Sequence, residues 1–178
     1  MLTMTREREL LLEHLDAQRR HVFGILEGLS DQQLRRPLLP SGWHCLGLVK
    51  HLALADEHYW FRCIVAGESR DYFPAEPNGD WWVGPDEPAQ DVFDLYREEI
   101  RRSDAVIRDT DMDAPPAQRD ERWATWGADF PDLRSVLLHV LTETSIHAGH
   151  LDAVRELLDG RQWVVVEEAS DRGRPRSS

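Results

Sequence analysis

Residues 132–160 read DLRSVLLHVLTETSIHAGHLDAVRELLDG, the best-defined helical pattern in the chain. Val136, Val140, Leu151 and Val154 recur at the spacing of one helical face. Asp132 stands where an N-cap belongs, and Gly160 just past where a helix of about Asp132–Leu158 must end. The same period appears three more times. Between Thr5 and Leu29 it is carried by Leu11, Leu15, Val22, Leu26 and Leu29. From about His44 to Ala66 it is carried by Leu48, Leu52, Ala55 and Tyr59, with Gly67 as the stop. From about Ala89 to Arg108 it is carried by Val92, Tyr96, Ile100 and Ile107.

The segments between are of a different kind. Ser30 to Gln33 matches a capping box and predicts a short helical turn, which Pro37 and Pro40 interrupt. The stretches Glu68–Pro88 and Asp109–Pro131 are rich in Pro, Gly, Asp and Trp and read as irregular crossovers. Four long helices joined by long connections predict an all-α four-helix bundle with crossovers. No alternating strand pattern is present, which argues against α/β. Residues 1–168 are expected to form a single domain. Within it Trp163 to Val166 could add a short extended segment, and 169–178 are expected to be a disordered polar tail.

Composition narrows the function. The chain has 178 residues, with 21 Lys plus Arg against 33 Asp plus Glu, a formal charge of −12. Such a balance repels phosphate backbones and anionic bilayers, so neither nucleic acid nor a membrane is an expected partner. No run approaches the roughly 18 apolar residues that span a bilayer. The opening MLTMTREREL turns charged at once, unlike a secretory signal, and a cytoplasmic location is expected. Cys45 and Cys63 lie 18 residues apart on one helical segment, about 27 Å along its axis. They cannot form a bridge within the chain and read as reduced core residues.

The chemistry concentrates in the last helix, where His139, Glu143, His147 and His150 fall within twelve residues. Glu143 and His147 are four apart, one above the other, and can offer an oxygen and an imidazole nitrogen to one ion. Their arc continues the apolar stripe, so both are expected to point inward. Two readings stay open: a metal site, or a buried hydrogen-bonded network in which Glu143 pairs with His139 or His147. A metal site needs a third ligand from another element, and His51 on the second long helix is the natural one. His44 and His58, seven residues to either side, are read as core or partly exposed histidines. Asp56 and Glu57 follow His51, and Asp152 and Arg155 follow His147. Their expected role is to orient a ligand imidazole, against the alternative of solvated faces and surface ion pairs. Trp81, Trp82, Trp123 and Trp126 lie on the crossovers, where they either close the core or enclose an apolar substrate.

GLVKHLALADEHYWF, followed some ninety residues later by HVLTETSIHAGHLDAVREL, resembles the DinB/YfiT-like superfamily of metal-binding four-helix bundles across nearly the whole chain. The resemblance implies metal ligands at His51, Glu143 and His147. Glu143, where many members carry histidine, places the chain nearer the branch of mycothiol-dependent maleylpyruvate isomerase and mycothiol S-transferases. His150 stands where many relatives carry Gln. It is either a neighbour that orients a ligand or a competitor of Glu143 for the metal.

Three protein ligands leave a coordination position open for catalysis. The resemblance thus implies a divalent metal, zinc first, with nickel, manganese or iron as alternatives. It also implies a metal-dependent thiol transferase in which mycothiol or a similar low-molecular-weight thiol, activated as the thiolate, attacks a small electrophile. The cofactor thiol, not Cys45 or Cys63, would be the nucleophile, and a homodimer is compatible. The alternatives are a hydrolase or isomerase using metal-activated water at the same ligands, and a non-catalytic helical binding module.

Overall fold

The computed structural model describes residues 5–125 and 127–163. Trp126, residues 164–166 of the expected extended segment and the tail expected at 169–178 lie outside the described residues. Helix α1 is Arg6–Leu26, its first turn capped by the Thr5 hydroxyl accepting from the Arg8 amide. The short α2, Asp31–Leu34, begins at the Ser30–Gln33 capping box. Helix α3, Cys45–His51, is capped by His44, whose Nδ1 accepts from the Gly47 amide at 3.0 Å. Helix α4 is Ala89–Asp109, and α5 is a single turn, Arg122–Thr125, in the crossover where only irregular chain was expected. Helix α6, Leu133–Asp159, starts at the Asp132–Ser135 capping box and ends at Gly160, whose φ of 80° suits glycine.

The main departure from the sequence reading is in winding. Instead of one α-helix from His44 to Ala66, α3 passes at Leu52 into a π-helical segment, Leu52–Val65, that continues without a break. Its last turn shows the wider register, the Ala66 amide donating to the Phe61 carbonyl. Three consecutive polar residues in this segment, Asp56, Glu57 and His58, are all buried. A helix buried all round must lie at the centre of its bundle, and this one is packed against α4 and α6 while Glu57 reaches α1.

Ion pairs and side-chain hydrogen bonds between helices fix their directions. Arg134 at the start of α6 binds Glu7 at the start of α1, and Arg155 near the end of α6 donates to the Ile25 carbonyl at the end of α1, so these two helices run parallel. Arg8 of α1 donates to the carbonyls of Arg108 and Thr110 at the end of α4, so α1 and α4 are antiparallel. Lys50 binds Glu87 just before α4, and Arg62 binds Glu99 within it, so the α3–π helix and α4 run the same way. A parallel pair adjacent in sequence needs a connection that travels back along the bundle. Residues 66–88 make that return, and it carries Asp80 and Trp81 past His51.

Apolar side chains form two clusters. One gathers Val22, Ile25, Leu48, Leu52, Tyr96, Leu151 and Val154; the other gathers Leu15, Phe61, Ile64, Ile107, Trp123, Leu133 and Val140. Between them lies a polar layer. The Arg19 guanidinium makes two bonds to Glu57, at 2.8 and 2.7 Å, and one each to Asp16 and Asp104. Ser103 donates to the Glu57 carbonyl. No helix among the described residues is long and apolar enough to cross a membrane.

Candidate active site

The π segment determines which side chains face α6. With α-helical winding His51 would be followed on its own face by Ala55 and then by residues 58 and 59. The wider turn brings Ala55 and Asp56, then Tyr59 and Trp60, onto one wall of a cavity of about 370 Å³ whose opposite side carries His139 and Glu143 of α6. His58 is turned away to Glu99 and stacks on Tyr72. Phe73 and Arg122 from the two crossovers complete the cavity.

His51 and His147 meet across the helix pair with ring centroids 5.2 Å apart in a T-shaped arrangement. The Glu143 carboxylate lies 3.9 Å from the His147 Nε2. All three predicted donors therefore lie in one neighbourhood, on two helices. The buried stripe of α6, however, runs through Val140, Thr144, Ala148 and Leu151, one position over from Glu143 and His147. These two residues sit at its edge rather than in the core, with Glu143 37% exposed and His147 only 12%.

Asp80 is the residue that sequence reasoning missed. Its carboxylate accepts from the His51 Nδ1–H at 2.5 Å, while the Trp81 indole stacks on the same imidazole at 4.1 Å. A carboxylate on Nδ1 fixes the tautomer that leaves Nε2 as a donor, the usual support of a metal-binding histidine. The only sequence signal was an acid set between Gly79 and two tryptophans in a loop, and nothing local says which histidine it meets. Burial, reinforced by the neighbouring His51 and His150, depresses the pKa of His147 to about 4 and keeps it neutral, the form that ligates.

The residues expected to orient a ligand divide sharply. Asp56 is buried on the cavity wall with one carboxylate oxygen lacking a partner. Burial, with the negative charge of Glu143, Glu57 and Asp80, pushes its pKa well above the ordinary carboxylate range. Glu57 points instead to α1, where Arg19 holds it, and Asp152 binds His21 at 2.7 Å. Arg155 caps the end of α1. His150 is exposed, its ring 5.7 Å from that of His147 and 6.2 Å from that of Trp43. Of the crossover tryptophans, Trp123 is core, Trp81 covers His51 and Trp82 is 65% exposed.

Both thiols are unsuited to nucleophilic work. Cys45 and Cys63 are buried and unpaired with each other, and burial pushes Cys45 up to about 11 and raises Cys63 as well. At the mouth, Asp120 accepts from Arg122, from the Tyr59 hydroxyl and from Arg70. Burial and the bond to Asp120 push Tyr59 up to about 12, so it stays a donor.

Gly47 holds the Asp80 loop in place. A Cβ at this position would sit well inside contact distance of the Trp81 carbonyl oxygen, a backbone atom that cannot swing aside. Gly47→Ala, which on helix propensity alone would stabilise α3, is expected to destabilise the protein by about 1–3 kcal/mol. Chemical denaturation checks this, and loss of the His51–Asp80 bond should appear as a change in the His51 imidazole NMR signals.

As to a metal, among the described residues no group of three or more His, Cys, Asp or Glu is drawn together tightly enough to hold an ion. The donor chemistry nevertheless fits one: two imidazoles, one already oriented by a carboxylate, a nearby carboxylate, and a buried His147 Nδ1 without a partner.

A four-helix bundle with a crossover between its second and third long helices, and with imidazole and carboxylate donors facing each other on the second and fourth, is of the DinB/YfiT-like class. Over residues 10–160 the chain matches the family model described as MST: Mycothiol-S-transferase, and it belongs to that family. No curated protein and no solved structure matches it significantly.

Proposed function

We propose that this protein is a divalent-metal-dependent S-transferase that joins mycothiol, or a closely similar thiol, to a small electrophile. The observation that carries the reading is that His51 and Glu143 line one cavity while His147 lies beside both, its ring 5.2 Å from that of His51 and its Nε2 3.9 Å from the Glu143 carboxylate, with Asp80 orienting His51. The family match supports the thiol. His51, Glu143 and His147 would hold the ion, zinc first among the divalent candidates. When bound, the ion lowers the pKa of a thiol so that the sulfur is ionised at neutral pH.

The chain's own groups do the rest. Asp80 holds the proton on the His51 Nδ1 and keeps Nε2 available. Burial keeps His147 neutral and, with the nearby carboxylates, favours the protonated form of Asp56 on the wall across from Glu143. Tyr59, Trp60 and Phe73 present apolar surface that excludes water and favours an apolar electrophile. The thiols of Cys45 and Cys63 stay protonated and out of reach, so the attacking sulfur comes from the cosubstrate.

Metal content by inductively coupled plasma mass spectrometry, on untagged parent and His147→Ala, tests the site. Near-stoichiometric metal in the parent, lost in the variant, is the expected result, together with metal-dependent conjugation of mycothiol to monochlorobimane. An unchanged conjugation rate with several thiols and electrophiles would refute the transferase. Ester or amide hydrolysis without any thiol would point to activated water instead, and equal metal content in parent and variant to a structural polar network.

A further inference from the structure

A second concavity, of about 520 Å³, is lined in part by Trp81, the residue whose indole stacks on His51. Its wall is made by Ser41, Trp43, His44, Asn78, Trp81 and Trp82, and among its lining residues there is no Asp, Glu, Lys or Arg. In a chain that is 30% charged this is an unusual surface. His44 adds no charge, because its Nδ1 accepts from the Gly47 amide and burial lowers its pKa. Three indoles, those of Trp43, Trp81 and Trp82, line this one groove, and that of Trp82 is 65% exposed. The hydroxyl of Ser41 and the amide of Asn78 supply hydrogen-bonding groups at its edge. Flat aromatic faces beside neutral polar groups are complementary to a sugar ring, which has apolar C–H faces and a hydroxyl rim.

The groove also abuts the candidate centre. Trp81 both stacks on His51 and lines the groove, and Trp43 lies 6.5 Å from Trp81 and 6.2 Å from His150. The platform is fixed, because Gly47 admits the Trp81 carbonyl and Asp80 is tied to His51. Two lobes thus meet at one point: a cavity with titratable groups, and a neutral aromatic groove.

We propose that the groove of Trp43, Trp81 and Trp82 is a binding site for a neutral sugar or polyol, and that it holds the glucosamine–inositol end of the thiol while the sulfur reaches His51 and His147. The second half of this statement rests on the thiol-transferase reading above. Mycothiol matches both lobes, since its only readily ionised group is the thiol and the rest is an amide-linked pair of polyhydroxylated rings. The electrophile is then left with the cavity of His51, Tyr59, Trp60 and Phe73.

Isothermal titration of S-methylmycothiol, which cannot act as a thiolate, into the full chain tests the groove apart from the chemistry. Trp82→Ala removes an exposed ring and should leave the core intact, while Asn78→Gly removes the amide and keeps the left-handed backbone, φ 58°, that glycine adopts freely. Each variant is expected to weaken binding roughly three- to tenfold, with an unchanged far-ultraviolet circular dichroism spectrum. S-methyl-N-acetylcysteine, which lacks the rings, should bind far more weakly to the parent. Equal affinity of parent and both variants would overturn the groove and leave the transferase standing. Binding that depends on Trp82, without any conjugation activity, would overturn the transferase and leave the groove. No binding of S-methylmycothiol to the parent would overturn the groove proposal outright.

Discussion

Arg19→Ala is expected to lower the free energy of unfolding by about 3–5 kcal/mol, a large share of what a domain of this size possesses. Its side chain is 3% exposed, and that of Glu57, its bidentate partner, is 1% exposed. Burial works against a charged guanidinium here, yet Glu57, through charge and hydrogen bonds, holds Arg19 protonated more firmly than an ordinary arginine. Truncation leaves the Glu57 carboxylate in the interior without its cation and close enough to Asp56 to repel it. The opposite truncation, Glu57→Ala, should cost less, because Arg19 keeps Asp16 and Asp104. Replacing both partners at once, Arg19→Met with Glu57→Leu, should recover much of the loss, since an apolar pair needs no desolvated charge. Urea denaturation of the four proteins measures this. A loss below about 1 kcal/mol for Arg19→Ala would mean that water reaches the pair.

Asp80→Ala is expected to reduce metal affinity by about 10–100-fold while the bundle stays folded. The His51 ring would keep its stacking on Trp81, but nothing would choose its tautomer or hold it against rotation. Asp80→Asn retains an acceptor without the negative charge and should fall between the two. The checks are metal retention against a chelator of graded strength and the circular dichroism spectrum. An unchanged metal affinity would show that Asp80 serves only to anchor the crossover.

The helices were legible because each carries its own stop and start: the Ser30–Gln33 box, Asp132 and Gly160 mark ends within a residue or two of where they fall. The meeting of α6 with the second long helix was expected from His51, Glu143 and His147, although Glu143 and His147 lie at the edge of the buried α6 stripe and not within it as their spacing suggested. Two things were not. Hydrophobic period does not distinguish α from π winding over fourteen residues that are apolar or buried on every side, so Asp56 and Trp60 could not be assigned to the cavity and Glu57 away from it. Nor could Asp80 be matched to His51, twenty-nine positions earlier and across the irregular return that follows Val65, a contact set by the parallel topology and not by any local pattern.

The partnership of α1 with α6 has a consequence for how the protein is made. Residue 133 follows residue 26 by more than a hundred positions, yet the apolar stripe of the first helix is covered in part by the last one. At translation rates of about 5–20 residues per second, α1 waits on the order of 5–20 s before its neighbour has even begun to emerge. Local turns form in microseconds, so the wait is long on the chain's own clock. A helical protein wired in this way has more distant contacts than an up-and-down bundle and should fold more slowly than helix content alone would indicate. During synthesis the nascent first helix would be a natural client for any chaperone that shields apolar surface.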